Sequence, residues 1–166
     1  MKKSVIIAIV AVIIIAGAGI AVFEYYGNMG TLSISVADLP ASNVSAVYIS
    51  FSSISIHSNS SGWTNYSLPT RVVNIYGLTL NNSSFLGNIT IPSGKYTMIR
   101  VYVTSVNVVV GGVNETFKLA SKAAFLNHPF SIAPHSTTGF TMEFDLHQCL
   151  NLSAKIFTPY IGIVTS

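Results

Sequence analysis

The sequence predicts an all-β outer domain, an antiparallel β-sandwich of about eight strands, preceded by one N-terminal transmembrane helix. Three observations lead to this fold class. An uncharged aliphatic run covers Val5–Phe23. Hydrophobic residues after Gly30 recur with a period of two rather than 3.6. Only 8% of the residues are charged, far below an ordinary soluble domain. We expect two units, the membrane segment at 1–26 and the β domain at 27–166.

The N-terminal segment has the length and composition of a membrane span. About twenty helical residues at 1.5 Å each cross a hydrocarbon core of roughly 30 Å. Lys2 and Lys3 precede the run and Glu24 follows it. Because positive charge stays on the cytoplasmic side, the rest of the chain is expected outside the cell.

The sequence leaves three fates of this segment open. It is retained as an anchor, or it is cleaved after Ala18, where Ala16-Gly17-Ala18 forms an A-x-A site. The third fate is pilin-like processing after Ser4, which makes Val5 the first residue of a helix at a filament core.

The first elements of the outer domain show the strand pattern clearly. Leu32, Ile34 and Val36 alternate with small residues until Pro40. Two long runs follow, Val44–His57 and Tyr96–Val110. In each run the hydrophobic residues occupy odd-numbered positions first and even-numbered positions afterwards. A strand changes its buried face only at a bulge or bend. We therefore predict that these two runs pair and bend together at a corner of the fold.

The remaining strands are shorter. The two glycines at 111–112 predict a hairpin into Val113–Leu119. Alternation recurs in Phe140–Leu146, and Ile156–Val164 is predicted as an edge strand because it contains a proline. A short helical turn is expected only in Leu78–Phe85. Together these strands, all expected antiparallel, favour an immunoglobulin-like or transthyretin-like sandwich.

Four motifs resemble one known family. They are the opening strand Gly30–Val36, the Asp-x-Pro corner Asp38–Pro40, the strand Val47–His57, and the turn and strand Pro92–Arg100. They are similar to the domain of unknown function 4382 family, over about Gly30 to Leu146. The resemblance implies an exported, often membrane-anchored β domain of archaea or bacteria, and it supplies no activity and no catalytic residue.

Asn-x-Ser/Thr sequons are unusually frequent. Eight of the twelve asparagines lie in one, whereas composition alone would place about two or three there. The excess predicts N-linked glycans on an extracellular surface. The predicted glycosylation sites are Asn43, Asn59, Asn65, Asn81, Asn82, Asn88, Asn114 and Asn151.

Composition excludes several classes of protein. The formal charge is +3, but two of the lysines precede the hydrophobic run and the other cations are scattered, so we expect no nucleic-acid partner. Cys149 is the single cysteine, so no intrachain disulfide can form. A glycosylated surface protein without disulfides indicates an archaeal host.

A metal site is the chemical alternative. A blue-copper centre takes two His, one Cys and usually a Met. His147 and Cys149 would share a face of a strand, with His128 or His135 as a third ligand. No His or Met follows the cysteine, and a buried thiol beside surface histidines is the competing interpretation. We expect no cofactor.

The acidic residues predict no catalysis. Glu143 and Asp145 are expected on a solvated face, and Arg100 is expected to pair with Asp38 or Glu143. The sequence contains no Ser-His-Asp arrangement with a nucleophile elbow and no phosphate-binding glycine loop. Trp63 and the tyrosines offer stacking surfaces for sugars or another subunit, or they pack in the core.

The sequence therefore predicts a non-enzymatic, N-glycosylated cell-surface protein. Its role would be structural or adhesive, in the envelope or in a pilus-like filament of like subunits. The alternative is an extracytoplasmic binding module for carbohydrate or metal, or an accessory subunit of a membrane complex.

Overall fold

The computed structural model describes residues 3–39 and 41–165, without the side chains of residues 3–6, 8, 23–26, 70 and 163–165. Pro40 and Lys2 thus lie outside the described residues. The chain begins with one helix, α1, at Lys3–Gly27. Its described side chains, at Ile7 and residues 9–22, are all exposed. Among the described residues, no helix combines the length and the apolar character needed to cross a membrane.

Strands make up most of the remaining chain. Their order confirms a mostly-β domain built of two sheets. The elements after α1 are β1 Met29–Leu39, β2 Ala46–Ser58, β3 Gly62–Asn74, β4 Ser84–Pro92, β5 Gly94–Val110, β6 Val113–Leu119, β7 Ala123–Ile132, β8 Thr137–Asp145, α2 Leu146–Cys149, β9 Leu150–Asn151, β10 Ile156–Phe157 and β11 Ile161–Thr165.

The two sheets differ in size. The smaller sheet has the order β11-β8-β1-β4, and the larger has β3-β2-β5-β6-β10-β9, with β7 also paired to β5. The prediction that all strands are antiparallel was wrong. β1 pairs with β8 in parallel, and β6 pairs with β10 in parallel. Parallel neighbours need long connections, which a pattern of buried residues along single strands does not reveal.

The paired phase switch of β2 and β5 is confirmed. The two strands are antiparallel neighbours, and their register skips Thr104 on β5 and then Ser52 on β2. Ser105 Oγ donates to Ser50 Oγ at 2.7 Å beside these bulges. The bulges also divide β5, since residues before them pair with β7 and residues after them with β6.

One hydrophobic core lies between the sheets. Phe51 of the larger sheet meets Phe144 of the smaller sheet with ring centroids 5.8 Å apart, and both side chains are 0% exposed. The alternating residues predicted to face inward on β1, Leu32, Ile34 and Val36, are all buried. The outer face of the larger sheet is left to polar and partly exposed side chains.

Two predicted elements differ in the structure. Leu78–Phe85 holds a tight turn rather than a helical one, because Asn82 donates its backbone N–H to the carbonyl and hydroxyl oxygens of Thr79. The run Ile156–Val164 is divided between the sheets as β10 and β11. Pro159, which lacks an N–H, lies at the division. The hairpin at 111–112 is confirmed, with φ of 58° and 83° at its glycines.

Candidate functional site

A partly exposed cluster of rings and one cation lies on the outer face of the larger sheet. We call it the Trp63 patch, and it consists of His57 on β2, Trp63 on β3, Arg100 on β5 and Phe125 on β7. His57 is the register partner of Trp63, and Arg100 that of Phe125. The patch therefore draws one side chain from each of four adjacent strands.

The β2–β3 hairpin positions Trp63. Ser58 Oγ accepts the backbone N–H of Ser61 at 3.1 Å, and Gly62 has a φ of 70°, which a glycine adopts without strain. The turn places Trp63 opposite His57, with ring centroids 5.1 Å apart. His57 Nδ1 lies 2.8 Å from Thr97 Oγ1. This hydrogen bond holds the imidazole of β2 against β5.

Arg100 lies between the two larger rings. Its guanidinium carbon is 4.0 Å from the Trp63 centroid and 5.5 Å from the Phe125 centroid. These distances are typical of cation–π attraction. The prediction that Arg100 pairs with Asp38 or Glu143 was wrong, because both acids belong to the smaller sheet. Among the described residues, its N–H groups donate to no acceptor.

The patch keeps open surface for a ligand. Trp63 is 36% exposed and Phe125 50% exposed. Asn65 lies two residues after Trp63 on the same face of β3, and its Oδ1 accepts a hydrogen bond from Ser55 Oγ at 3.0 Å. The flat rings can stack on the apolar face of a sugar, and the guanidinium N–H groups beside them can donate to its hydroxyls.

A separate cavity of about 110 Å³ opens between the β2–β3 and β4–β5 turns. Hydroxyl groups line much of it, including those of Tyr66 and Tyr96. Tyr96 donates to the Pro92 carbonyl at 2.6 Å, and burial, followed by the nearby Tyr66, raises the pKa of its phenol. The volume is well below the roughly 300–1,000 Å³ of small-molecule sites, so the Trp63 patch is the better candidate.

Two buried carboxyl groups lie at one end of the smaller sheet. Asp38 is 2% exposed and Glu143 is 5% exposed, and one oxygen of each has no hydrogen-bond partner among the described residues. Burial raises the pKa of Asp38 to about 6, opposed by the Gly77 N–H and assisted by the charge of Glu143. Burial, with a smaller effect of Asp145, also raises the pKa of Glu143.

The predicted solvated face at Glu143 and Asp145 was therefore wrong for Glu143. Its register partner Ala37 is also buried, so the outer face of the smaller sheet is covered at these two positions. Asp145 instead caps α2, accepting the backbone N–H groups of His147 at 3.1 Å and Gln148 at 3.3 Å.

The candidate metal ligands do not share one site. His147 and Cys149 lie on α2 rather than on a strand, with His147 exposed and Cys149 1% exposed. His128 packs its ring against Phe140 at 5.9 Å, and His135 is exposed on a turn. Within the described part of the chain, no three His, Cys, Asp or Glu residues are grouped to hold a metal ion.

The cysteine has partners of its own. Its Sγ accepts the Tyr160 N–H at 3.3 Å and donates to the Tyr160 carbonyl at 3.4 Å. Burial raises the pKa of the thiol to about 12.

Every sequon asparagine is exposed. The residues occupy loops, turns and strands of both sheets. They are Asn43, Asn59, Asn65, Asn81, Asn82, Asn88, Asn114 and Asn151. None of the eight lies on β5, the central strand of the larger sheet.

Sequence reasoning singled out two residues of the patch, Trp63 and Arg100, but did not bring them together, and it gave no role to His57 or Phe125. Trp63 was considered for stacking on sugars, and Arg100 was assigned to an ion pair. The missing information was the register of β3, β2, β5 and β7, which depends on the bulges near Ser52 and Thr104.

Comparison with known proteins gives one match. The model of a protein family described as a domain of unknown function, DUF4382, matches residues 29–158. This confirms the resemblance seen in the sequence and extends it through β10. No curated protein and no solved structure matches the chain.

Proposed function

Because the chain belongs to the DUF4382 family, whose description assigns no function, we propose a role from its own residues: a non-enzymatic, N-glycosylated cell-surface protein. It is structural or adhesive, in the envelope or in a pilus-like filament. The outer domain is taken to be a β-sandwich, held outside the cell by the N-terminal helix.

The exposure of all eight sequon asparagines carries this proposal. An oligosaccharide cannot be attached to a buried side chain, so each exposed sequon meets that requirement. Asn43 and Asn59 lie on turns, where an enzyme can reach the backbone most easily. With few charged residues on the domain, glycans would also supply much of its solubility.

The N-terminal helix supports a place at the membrane or in a filament. Its described side chains are apolar or small on every side and exposed, so they do not pack on the β domain. A helix that is hydrophobic all round requires a covering of lipid or protein. The uncharged run Val5–Phe23 extends beyond the described side chains at both ends. In sequence it is therefore long enough to span a membrane or to pack in a filament core.

The absence of an enzymatic role is part of the same proposal. The cysteine is buried with a raised pKa, and a nucleophile needs an accessible thiolate. Neither Asp38 nor Glu143 lines the cavity of about 110 Å³.

The test is the amino-terminal sequence and glycopeptide mass spectrum of the protein from its own cells. We expect glycans on several sequons and fractionation with the envelope. A start at Met1 supports an anchored protein, a start at Val5 a filament subunit, and a start at Gly19 a secreted domain. Eight unmodified sequons in a cytosolic protein would overturn the proposal.

A second candidate function is carbohydrate binding through the Trp63 patch. It is favoured by the exposed rings of Trp63 and Phe125 beside the guanidinium of Arg100, whose N–H groups have no acceptor in the part of the chain that the structure describes. Titration of the protein with oligosaccharides tests it, with Arg100→Ala as the weakened variant and Lys118→Ala as the control. Saturable binding that is lost only in Arg100→Ala would favour this function, and no binding would exclude it.

A further inference from the structure

We propose that the N-glycan of Asn65 folds back onto the Trp63 patch, so that the patch is an internal sugar-binding site occupied by the chain's own glycan. The inference rests on the proposed glycosylation, and it identifies the Asn65 glycan as the group that covers the Trp63 patch. Three features of the described residues support it.

The first feature is position. Trp63 and Asn65 are two residues apart on β3, so their side chains leave the same face of the sheet about 6.7 Å apart along the strand. Ser55 stands opposite Asn65 on β2, and Arg100 stands opposite Ser55 on β5. Asn65, the attachment point, therefore shares a row of side chains across the sheet with Arg100 and Phe125. Trp63 lies in the adjacent row.

The second feature is the orientation of the Asn65 amide. Its Oδ1 accepts the hydrogen bond from Ser55 Oγ at 3.0 Å. That bond engages the oxygen and leaves the amide nitrogen, the atom that carries an N-glycan, for the sugar. Because Ser55 is 6% exposed and held in the sheet, the hydrogen bond fixes the first sugar close to the sheet surface.

The third feature is the chemistry of the patch. Arg100 has five N–H donors in a planar group, and none has an acceptor among the described residues. A glycan supplies hydroxyl oxygens to these donors and apolar ring faces to Trp63 and Phe125, which are 36% and 50% exposed. A sugar thus matches both the polar and the apolar parts of the patch.

The single tryptophan of the chain makes the inference measurable. The full chain is made in its glycosylating host and purified in detergent, as wild type and as Ser67→Ala. This variant removes the sequon while leaving Asn65 in place, and Ser67 is exposed. Thr90→Ala is the matched control, because it removes the sequon of Asn88 on β4 of the smaller sheet.

Acrylamide quenching and the emission maximum of Trp63 are the readouts. We expect Ser67→Ala to increase quenching and shift the emission to longer wavelength, and Thr90→Ala to change neither. We also expect Ser67→Ala to lower the melting temperature in the wild-type background and not in an Arg100→Ala background. Asn65→Gln repeats the test if Ser67→Ala folds poorly.

The outcomes separate this inference from the proposed function. Glycans on other sequons with none on Asn65 overturn the inference alone, as does an occupied Asn65 whose removal leaves Trp63 quenching unchanged. Protection of Trp63 that appears only on adding free oligosaccharide also overturns it, in favour of an external ligand. Eight unmodified sequons overturn both.

Discussion

The guanidinium carbon of Arg100 lies 4.0 Å from the centroid of the Trp63 ring, although their strands are not neighbours. Strand β2 runs between β3 and β5, so the contact passes diagonally over it. The cation–π attraction thereby connects β3 with β5 across the strand that separates them.

Replacing Arg100 with alanine is expected to cost about 1 kcal/mol of unfolding free energy, as for a cation–π contact at an exposed site. Urea denaturation measures the change, and the emission of Trp63 reports the local effect. Lys118→Ala is the control, because Lys118 is an exposed cation on β6. Equal losses in the two variants would show that the Trp63 contact contributes no stability.

Stability is expected to rise as the pH falls towards 4. The pKa of Asp38 is about 6 in the folded protein, compared with 3.8 for an unperturbed aspartate. The folded state therefore binds the proton more tightly, and this contribution is present below pH 3.8 and is lost as the pH rises through 6. A shift of about two pKa units corresponds to at most about 3 kcal/mol.

Asp38→Asn tests this pH dependence. The variant keeps an acceptor oxygen for the Gly77 N–H, which Asp38 Oδ2 accepts at 3.2 Å, and removes the titration. We expect a flatter stability profile between pH 4 and 7, with a residual slope of the same sign from Glu143. Glu115→Gln, at an exposed ion pair with Lys155, is the control. An unchanged profile in Asp38→Asn would contradict the assignment.

The strand pattern made part of this fold predictable. Leu32, Ile34 and Val36 are buried because a strand with one face in the core alternates strictly. The phase changes near Phe51 and Val103 predicted two bulges in paired strands, since a bulge is the local way to move side chains to the other face. These features are local, so the sequence contains them.

The rest depends on contacts between distant segments. The parallel pairing of β1 with β8 joins residues over a hundred positions apart, and no local pattern encodes it. Glu143 alternates like an outward residue, yet its surroundings bury it. Arg100 was predicted to pair with an acid because a cation among apolar residues usually needs one. It lies instead on the outer face of the larger sheet, where the rings of Trp63 and Phe125 attract its positive charge.

Cys149 is expected to be unreactive in the folded protein. Its thiol is 1% exposed and has a pKa of about 12, so little thiolate forms at neutral pH. An aromatic disulfide reagent should label it only after unfolding, and copper titration should give no thiolate absorption band. His147→Ala is the control, since it removes the nearby histidine without changing the thiol. Rapid labelling of the native chain would contradict the buried assignment and reopen the metal hypothesis.

Phe51 is expected to be among the side chains whose loss costs most. It is 0% exposed and meets Phe144 across the two sheets. Truncation to alanine removes that contact and leaves a cavity, which costs about 3–5 kcal/mol. Phe85→Ala is the matched control, because Phe85 is 46% exposed and its truncation opens no cavity. Calorimetry of the full chain in detergent measures both. Similar melting temperatures for the two variants would mean that the sheets do not share the core through Phe51 and Phe144.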